Sequence, residues 1–350
     1  MRTATKNTFT NEQIRAAVRR HFPGATVMKI TLLRGGTFNT LYRIDGINEL
    51  THGMILKTGP SETVLAAGHE KNNIRTEVET YRLVGGLELP VPKIYACDFS
   101  RKLLPSDFFF MEYVEGKSWY ELWTVRNPAL MRELGRCTAK IHSVKGGWFG
   151  EIGAEGEDRY TTWGEAFQAM ISDALSELQN RGKKLPYRKI SEVVASRRNL
   201  LDCLERPSLV NFDLWAGNIF LKRKREYAIS AIIDFERSLF GDPLLSFVSA
   251  MFLYENVEKE RDFMEGYNEV SNTPLHISPA DREKMILYEL FFYLRAYCEV
   301  ERYGTFLRVT ESIGISGMID YCLRRLEKLP MHKYNNREEK LTYETHNNKP

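Results

Sequence analysis

Apolar residues in the first third of the chain form short continuous runs, interrupted by two segments in which they recur every three to four positions. Continuous runs bounded by Gly, Pro or charged turns predict strands, and the helical spacing predicts helices. Thr10 and Gln13 have the spacing of a capping box at the start of the first helix. The predicted helices cover residues 10–22 and 70–84, and the predicted strands lie within 27–44, 54–57, 93–99 and 108–114.

The rest of the chain is dominated by helical spacing. Its predicted helices cover residues 127–144, 161–180, 190–204, 244–254, 262–267, 281–302 and 315–329. The last twenty residues are polar and offer little apolar surface to bury. The chain is thus expected to consist of an N-terminal part over 1–115, a C-terminal part over 116–330 and a polar tail over 331–350.

One stretch of the C-terminal part carries the chemistry. Asp213 and Asn218 are separated by four residues, the D-x-x-x-x-N interval of a kinase catalytic loop. Apolar runs at 219–221 and 228–233 predict a hairpin that brings Asp234 back beside Asn218. Asp213 then suits the carboxylate that accepts a proton from an attacking hydroxyl, and the oxygens of Asn218 and Asp234 suit magnesium. An ordinary hairpin with polar residues at its ends is the alternative, and the strand, hairpin and returning Asp together favour the catalytic interpretation.

The segments NFDLWAGNIF, IIDFE and FGDP resemble the catalytic block of the aminoglycoside phosphotransferase and choline kinase-like family. Asn211 stands where that family usually has His, and Phe212 where it often has Gly. The resemblance implies an α+β, bilobal protein kinase-like fold, with an antiparallel β small lobe and a mainly α-helical large lobe. It also implies ATP and Mg²⁺ as cofactors and a small-molecule hydroxyl as the acceptor.

The same resemblance assigns residues to the nucleotide site. Gly35 and Gly36 would cover the phosphates, although a plain hairpin turn explains them equally well. Lys57 ends an apolar strand and would bind the α- and β-phosphates. The helix that follows offers Glu77 as the partner of Lys57, with Glu79 as the rival.

Further residues are assigned to the cleft between the lobes. Adenine would lie beside Met111, hydrogen-bonded to the carbonyl of Glu112 and the amide of Val114. Candidates for the acceptor pocket are Trp163, Glu165, Asp173, Glu289, Glu299 and Glu301. His142 is predicted to pack or cap, with no catalytic role.

Composition and charge indicate which partners and which cellular compartment to expect. The 350 residues are 43% hydrophobic and 27% charged, with a net charge of +3, which gives no reason to expect nucleic acid or membrane binding. The five cysteines show no metal-ligand or redox spacing, as expected in a reducing compartment. A long apolar run and an N-terminal signal are not apparent, so we expect the cytoplasm.

Two other functions remain open at this point. A nucleotide-binding pseudokinase that binds a protein partner is favoured by Asn211 alone. A protein kinase is disfavoured because Phe240-Gly241-Asp242-Pro243 follows soon after Asp234, without an activation segment ending in A-P-E. The acceptor is left open among aminoglycosides, choline-like compounds, sugars and amino-alcohols.

Overall fold

The computed structural model describes residues 7–33, 38–46, 52–60, 72–153, 158–249, 256–302 and 305–329. The N-terminal part is built on a five-stranded antiparallel sheet in the order β1-β2-β3-β5-β4. This is the small-lobe sheet that the sequence predicts. Its strands are β1 (Lys29–Leu32), β2 (Thr40–Asp45), β3 (Met54–Thr58), β4 (Ile94–Asp98) and β5 (Phe108–Glu112).

Both faces of this sheet are covered, which explains why β3 is buried at every position and β5 at every position but its last. Phe108 and Phe110 pack with helix α1 (Asn11–His21) on one face. Phe109, between them, packs with helix α2 (Asn73–Val84) on the other. The capping box of Thr10 and Gln13 is present at the start of α1.

The C-terminal part is mainly helical and includes two three-stranded sheets, in the orders β10-β9-β6 and β7-β11-β8. Its strands are β6 (Lys117–Ser118), β7 (Gly150–Glu151), β8 (Ser208–Asn211), β9 (Ile219–Arg223), β10 (Tyr227–Ile232) and β11 (Ser238–Gly241). Its helices are α3 (Pro128–Ser143), α4 (Trp163–Asn180), α5 (Tyr187–Ala195), α6 (Arg198–Leu201), α7 (Leu244–Ser249), α8 (Arg261–Val270), α9 (Pro279–Glu299) and α10 (Thr305–Lys328).

Helices α3 and α8 approach closely because each places a glycine at their contact. A Cβ on Gly135 would lie 2.1 Å from the carbonyl oxygen of Phe263, and one on Gly266 would lie 2.0 Å from that of Arg132. Either contact is far shorter than a van der Waals separation. The pair therefore requires glycine at both positions.

The sequence prediction was wrong in two places in this part. The single helix expected over 190–204 is divided into α5 and α6. Between them the buried side chain of Arg197 turns inward to Glu283 (2.8 Å) and the carbonyl oxygen of Leu326 (2.6 Å). The last helix begins at Thr305, ten residues before the predicted start. The tail 331–350 lies outside the described residues.

Among the helices of the described residues, none combines the length and apolar character needed to cross a membrane.

Candidate active site

The hairpin of β9 and β10 brings the distant parts of the catalytic stretch together. The two strands pair antiparallel from Ile219–Ile232 to Arg223–Tyr227. Beyond the last pair, the amide of Ile233 donates to the carbonyl oxygen of Asn218 at 2.9 Å. Asp234 follows directly, so the chain returns beside Asn218 as the sequence predicts.

Asp213 is held from two sides. Its backbone amide donates to Oδ1 of Asn211 at 2.9 Å. The side-chain nitrogen Nδ2 of Asn218 donates to the carboxylate of Asp213 at 2.7 Å and to the backbone carbonyl of Asp213 at 3.0 Å. Because Nδ2 of Asn218 is turned to Asp213, Oδ1 of Asn218 is left for another partner.

Lys57 lies in the middle of a buried carboxylate cluster. Its Nζ is 2.6 Å from Oε2 of Glu77 and 2.7 Å from Oδ1 of Asp234. Glu77 is fully buried, whereas Glu79 is half-exposed and pairs with Arg82. The structure therefore selects Glu77 over Glu79 as the partner of Lys57.

A third carboxylate, that of Glu236, completes this cluster at 3.6 Å from Lys57 Nζ, and Asn39 donates a hydrogen bond to it. Burial acts to lower the pKa of Lys57, but Asp234, Glu77 and Glu236 together raise it well above its ordinary value. One lysine cannot neutralise three carboxylates, and burial also raises the pKa of Glu77.

Oxygens of Glu77, Asp234 and Glu236 all lie within 4.8 Å of one another. With Lys57 charged and all three carboxylates ionised, the cluster would carry an excess of two negative charges, a state that burial opposes by raising the pKa of Glu77 to about 8. Hard carboxylate oxygens with that excess charge fit a divalent cation such as Mg²⁺. The donor set available to such an ion is thus wider than the predicted pair of Asn218 and Asp234.

The backbone at Asp234 is unusual. Its φ is +65°, in the left-handed region that few residues other than Gly, Asn and Asp adopt readily. Its amide donates to the hydroxyl of Tyr81 on α2 at 3.3 Å. This contact links the end of the hairpin to the helix that carries Glu77.

Arg237 lies on the other side of Asp213. Its Nη1 is 3.9 Å from Oδ1 of Asp213, and its Nη2 is 2.7 Å from Oε1 of Glu299. Burial raises the pKa of Asp213 to about 7, with Arg237 acting in the opposite direction and neighbouring carboxylates such as Asp234 adding to the rise. A carboxyl with a pKa near neutrality is suited to accept a proton from a hydroxyl.

The other predicted nucleotide residues have the following positions. Met111 is buried near the end of β5, opposite Ile55 of β3. Glu112 ends β5, and Val114 lies in the partly buried connection to β6. Gly35 and Gly36 lie outside the described residues.

The residues predicted for the acceptor pocket lie in different surroundings. Trp163 is fully buried and donates from Nε1 to the hydroxyl of Tyr288 at 2.8 Å, so its assignment to a pocket was wrong: it belongs to the core. Asp173 is exposed. Three glutamates pair with cationic side chains elsewhere: Glu165 with Arg198, Glu289 with Arg325, and Glu301 with Lys183. Of these candidates, Glu299 contacts the arginine beside Asp213.

His142 packs, as predicted. Its ring nitrogens each lie 2.9 Å from a hydroxyl, that of Tyr267 and that of Ser246. Burial lowers the pKa of His142 to about 3. The side chain is therefore a neutral part of the core.

Sequence reasoning missed Glu236, Arg237 and Asn39. For the first two the signal was present, since both lie within three residues of Asp234, in the segment IIDFER. Asn39 lies 197 residues from Glu236. Its hydrogen bond to Glu236 is seen only in the folded protein, where the residue before β2 meets the segment that follows β10.

Comparison of the sequence with known proteins finds distant relatives. A rat protein (Rattus norvegicus), acyl-CoA dehydrogenase family member 11, is 22% identical over 267 residues. The alignment covers 70% of this chain and 31% of the rat protein, so the chain spans about a third of the length of that relative.

Two solved structures share the fold. One, assigned as a fructosamine-3-kinase from Haemophilus somnus 129PT, has a TM-score of 0.63 at 15% identity, covering 90% of this chain and 97% of that one. The other is a thermostable mutant of aminoglycoside phosphotransferase APH(4)-Ia in complex with AMP-PNP and hygromycin B. Its TM-score is 0.59 at 18% identity, and the coverage is 89% of this chain and 98% of that one. These likenesses confirm the α+β, protein kinase-like fold.

The profile of the phosphotransferase enzyme family matches residues 29–272, which include the five-stranded sheet, Lys57, Glu77 and the whole catalytic stretch. The chain therefore belongs to the phosphotransferase enzyme family.

Proposed function

We propose that this protein is an ATP- and Mg²⁺-dependent kinase that transfers the γ-phosphate to a hydroxyl of a small molecule. The observation that carries the proposal is the buried cluster of Lys57 with Glu77 and Asp234, adjoining Asp213 through the hairpin. The bound nucleotides of solved neighbours support ATP as the donor, since APH(4)-Ia was crystallised with AMP-PNP.

Each residue has a distinct role in this proposal. Asp213 accepts the proton of the attacking hydroxyl, and Asn211 and Asn218 fix its position. Lys57 binds the phosphates, and Glu77 keeps the lysine extended into the cleft. The flexible ammonium of a lysine needs such a partner, because it has no preferred direction of its own.

Magnesium would be held by the oxygens of Asp234 and Asn218, and it would neutralise the negative charge that develops on the transferred phosphoryl group. Glu236 adds a further oxygen beside Asp234. Most of the rate enhancement then comes from positioning and preorganised charge rather than from covalent chemistry.

The nucleotide would lie between two lobes, with Gly35 and Gly36 over its phosphates and Met111, Glu112 and Val114 beside adenine. We place the lobe boundary near residue 115, between β5 and β6, and the polar tail from 331. In support, β5 belongs to the five-stranded sheet and β6 pairs with β9 of the catalytic hairpin.

The pseudokinase alternative depended on Asn211, and the contact of Asn211 with the Asp213 amide weighs against it. An asparagine that holds the catalytic loop is compatible with turnover.

A screen of small hydroxyl compounds, with ADP release as the readout, tests the proposal. Asp213→Asn keeps the size of the side chain and removes the base, so we expect kcat to fall on the order of 10²- to 10⁴-fold. Nucleotide affinity, measured by calorimetry, should be retained. Full turnover by Asp213→Asn, or ADP release that no acceptor stimulates, would contradict the proposal.

A further inference from the structure

Arg237 lies beside Asp213, the carboxylate that the proposed function assigns to the acceptor hydroxyl. Strands β8 and β11 pair with Ser238 opposite Asn211, so Arg237 and Asp213 lie at the same end of this small sheet. The Arg237 side chain is 18% exposed and that of Asp213 22%, so both are accessible from the cleft.

The guanidinium of Arg237 faces two carboxylates, those of Glu299 and Asp213. Nη2 is fixed by both carboxylate oxygens of Glu299, at 2.7 and 2.9 Å. Nη1 lies 3.9 Å from Oδ1 of Asp213, which is too long for a hydrogen bond. A ligand oxygen placed between the two groups can contact both, and two oxygens on neighbouring carbons can contact one group each.

Other donors line the same small polar cavity as Arg237. They include the Ser238 hydroxyl and Nε of Arg295, both buried and without a hydrogen-bond partner among the described residues. Arg295 pairs through Nη1 with Glu151 at 3.3 Å. Buried ion pairs contribute little net stability once their desolvation cost is counted. The position of Arg237 beside the carboxylate of Asp213 therefore favours recognition rather than folding as its use.

We propose that Arg237 determines acceptor specificity by donating a hydrogen bond to an oxygen on the carbon next to the reacting hydroxyl. This inference rests on the proposed function and names its substrate class: alcohols with a hydroxyl, carbonyl or carboxylate oxygen on the neighbouring carbon. An ammonium group in that position has donors only, so it cannot accept a hydrogen bond from Arg237 and would place a like charge beside the guanidinium. Vicinal amino-alcohols are thus the disfavoured class.

Pairs of acceptors that differ at this single position provide the test. Suitable pairs are glucose with glucosamine, glycerate with serine, and ethylene glycol with ethanolamine. We expect kcat/KM of the wild type to favour the oxygen member by about tenfold or more, the size of one hydrogen bond to a charged group. In Arg237→Met this preference should disappear while the KM for ATP stays the same. Arg261→Met, which removes an exposed arginine paired with Glu265 on α8, is the matched control and should keep the preference.

Arg237→Met removes the arginine that pairs with the buried carboxylate of Glu299, so a second variant is needed in case this one does not fold. Arg237→Lys is the second variant. Its ammonium can neutralise Glu299, but it lacks the planar guanidinium whose two Nη atoms face Glu299 and Asp213. A wild-type preference for the ammonium members, or a preference unchanged in a folded Arg237 variant, would overturn the inference alone. If Arg237→Met lowered kcat/KM equally for both members of a pair and raised the KM for ATP, Arg237 would act on the phosphoryl group. That result would also overturn the inference. Absence of turnover with every acceptor would overturn the proposed function and this inference with it.

Discussion

Oδ1 of Asn211 accepts a hydrogen bond from the backbone amide of Asp213 at 2.9 Å. Asn211 is buried at the end of β8, and the Asp213 amide is its partner across one intervening residue. The side chain thus sets the direction in which the catalytic loop leaves the strand. In the family that this chain resembles, a histidine usually stands at this position, and an imidazole nitrogen can accept in the same way.

Replacement of Asn211 should therefore separate loop positioning from nucleotide binding. We expect Asn211→Leu, similar in size but without an acceptor, to lower kcat on the order of 10- to 100-fold, since small displacements of a reacting group are costly. Asn211→His should retain most of the activity. Steady-state ADP release measures kcat, and calorimetry measures nucleotide affinity, which should be equal in all three proteins. A fully active leucine variant would show that the hydrogen bond has no part in positioning Asp213.

Glu77 and Glu79 form a matched pair on α2 for testing the lysine clamp. Glu77 contacts Lys57 at 2.6 Å in the buried cluster, whereas Glu79 pairs with Arg82 at the surface. We expect Glu77→Gln to lower kcat/KM for ATP on the order of 10- to 100-fold, since a charge-assisted contact of the lysine is lost. Glu79→Gln should have no effect on kcat/KM.

The stability of Glu77→Gln provides the control for its effect on activity. Burial raises the pKa of Glu77, which means that its charged form is costly in this site. We therefore expect the free energy of unfolding of Glu77→Gln, measured with urea, to fall by no more than about 1 kcal/mol. A larger loss would make Glu77 a structural residue first, and its effect on activity would then follow from unfolding.

The sequence was sufficient where structure depends on neighbours along the chain. The two apolar runs at 219–221 and 228–233 predicted the hairpin, because strand pairing across a short turn is a local event. Glu77 was preferred over its rival Glu79, two residues away on the same helix, and the burial of Glu77 agrees with that choice.

Long-range contacts were beyond the reach of sequence reasoning. Trp163 was assigned to a pocket because it lies in the segment before the catalytic stretch, where the family that this chain resembles inserts substrate-binding helices. The partner of its indole, Tyr288, lies 125 residues away in the core. The contact of Arg237 with Glu299 joins residues 62 positions apart. The break at Arg197 is not marked by Gly or Pro, and the buried ion pair of Arg197 joins it to Glu283, 86 residues away.

Asp234 offers a test of the metal site that leaves the backbone undisturbed. Its φ of +65° suits Asn nearly as well as Asp, so Asp234→Asn removes the charge without adding strain. We expect nucleotide affinity in the presence of Mg²⁺ to fall on the order of 10-fold or more, and affinity measured in EDTA to change little. Calorimetry under both conditions measures the difference. Equal affinities of the variant and the wild type in Mg²⁺ would remove Asp234 from the metal site.

The buried His142 should make stability depend on pH. Burial lowers its pKa to about 3, whereas a histidine in the unfolded chain titrates near 6.5. Between these values the unfolded chain binds a proton that the folded protein does not, so the free energy of unfolding falls as the pH falls below about 6.5. The slope from this one group is at most about 1.4 kcal/mol per pH unit. Urea unfolding between pH 7 and 5 measures it.

The histidine itself can be isolated by substitution. His142→Gln keeps polar atoms toward Tyr267 and Ser246 and removes the titrating ring, so this component of the slope should disappear. His276→Gln, at an exposed position, should keep the wild-type slope. If His142→Gln and the wild type lost stability in parallel on acidification, other groups would be responsible for the pH dependence. The neutral packing role of His142 would then lack support from stability measurements.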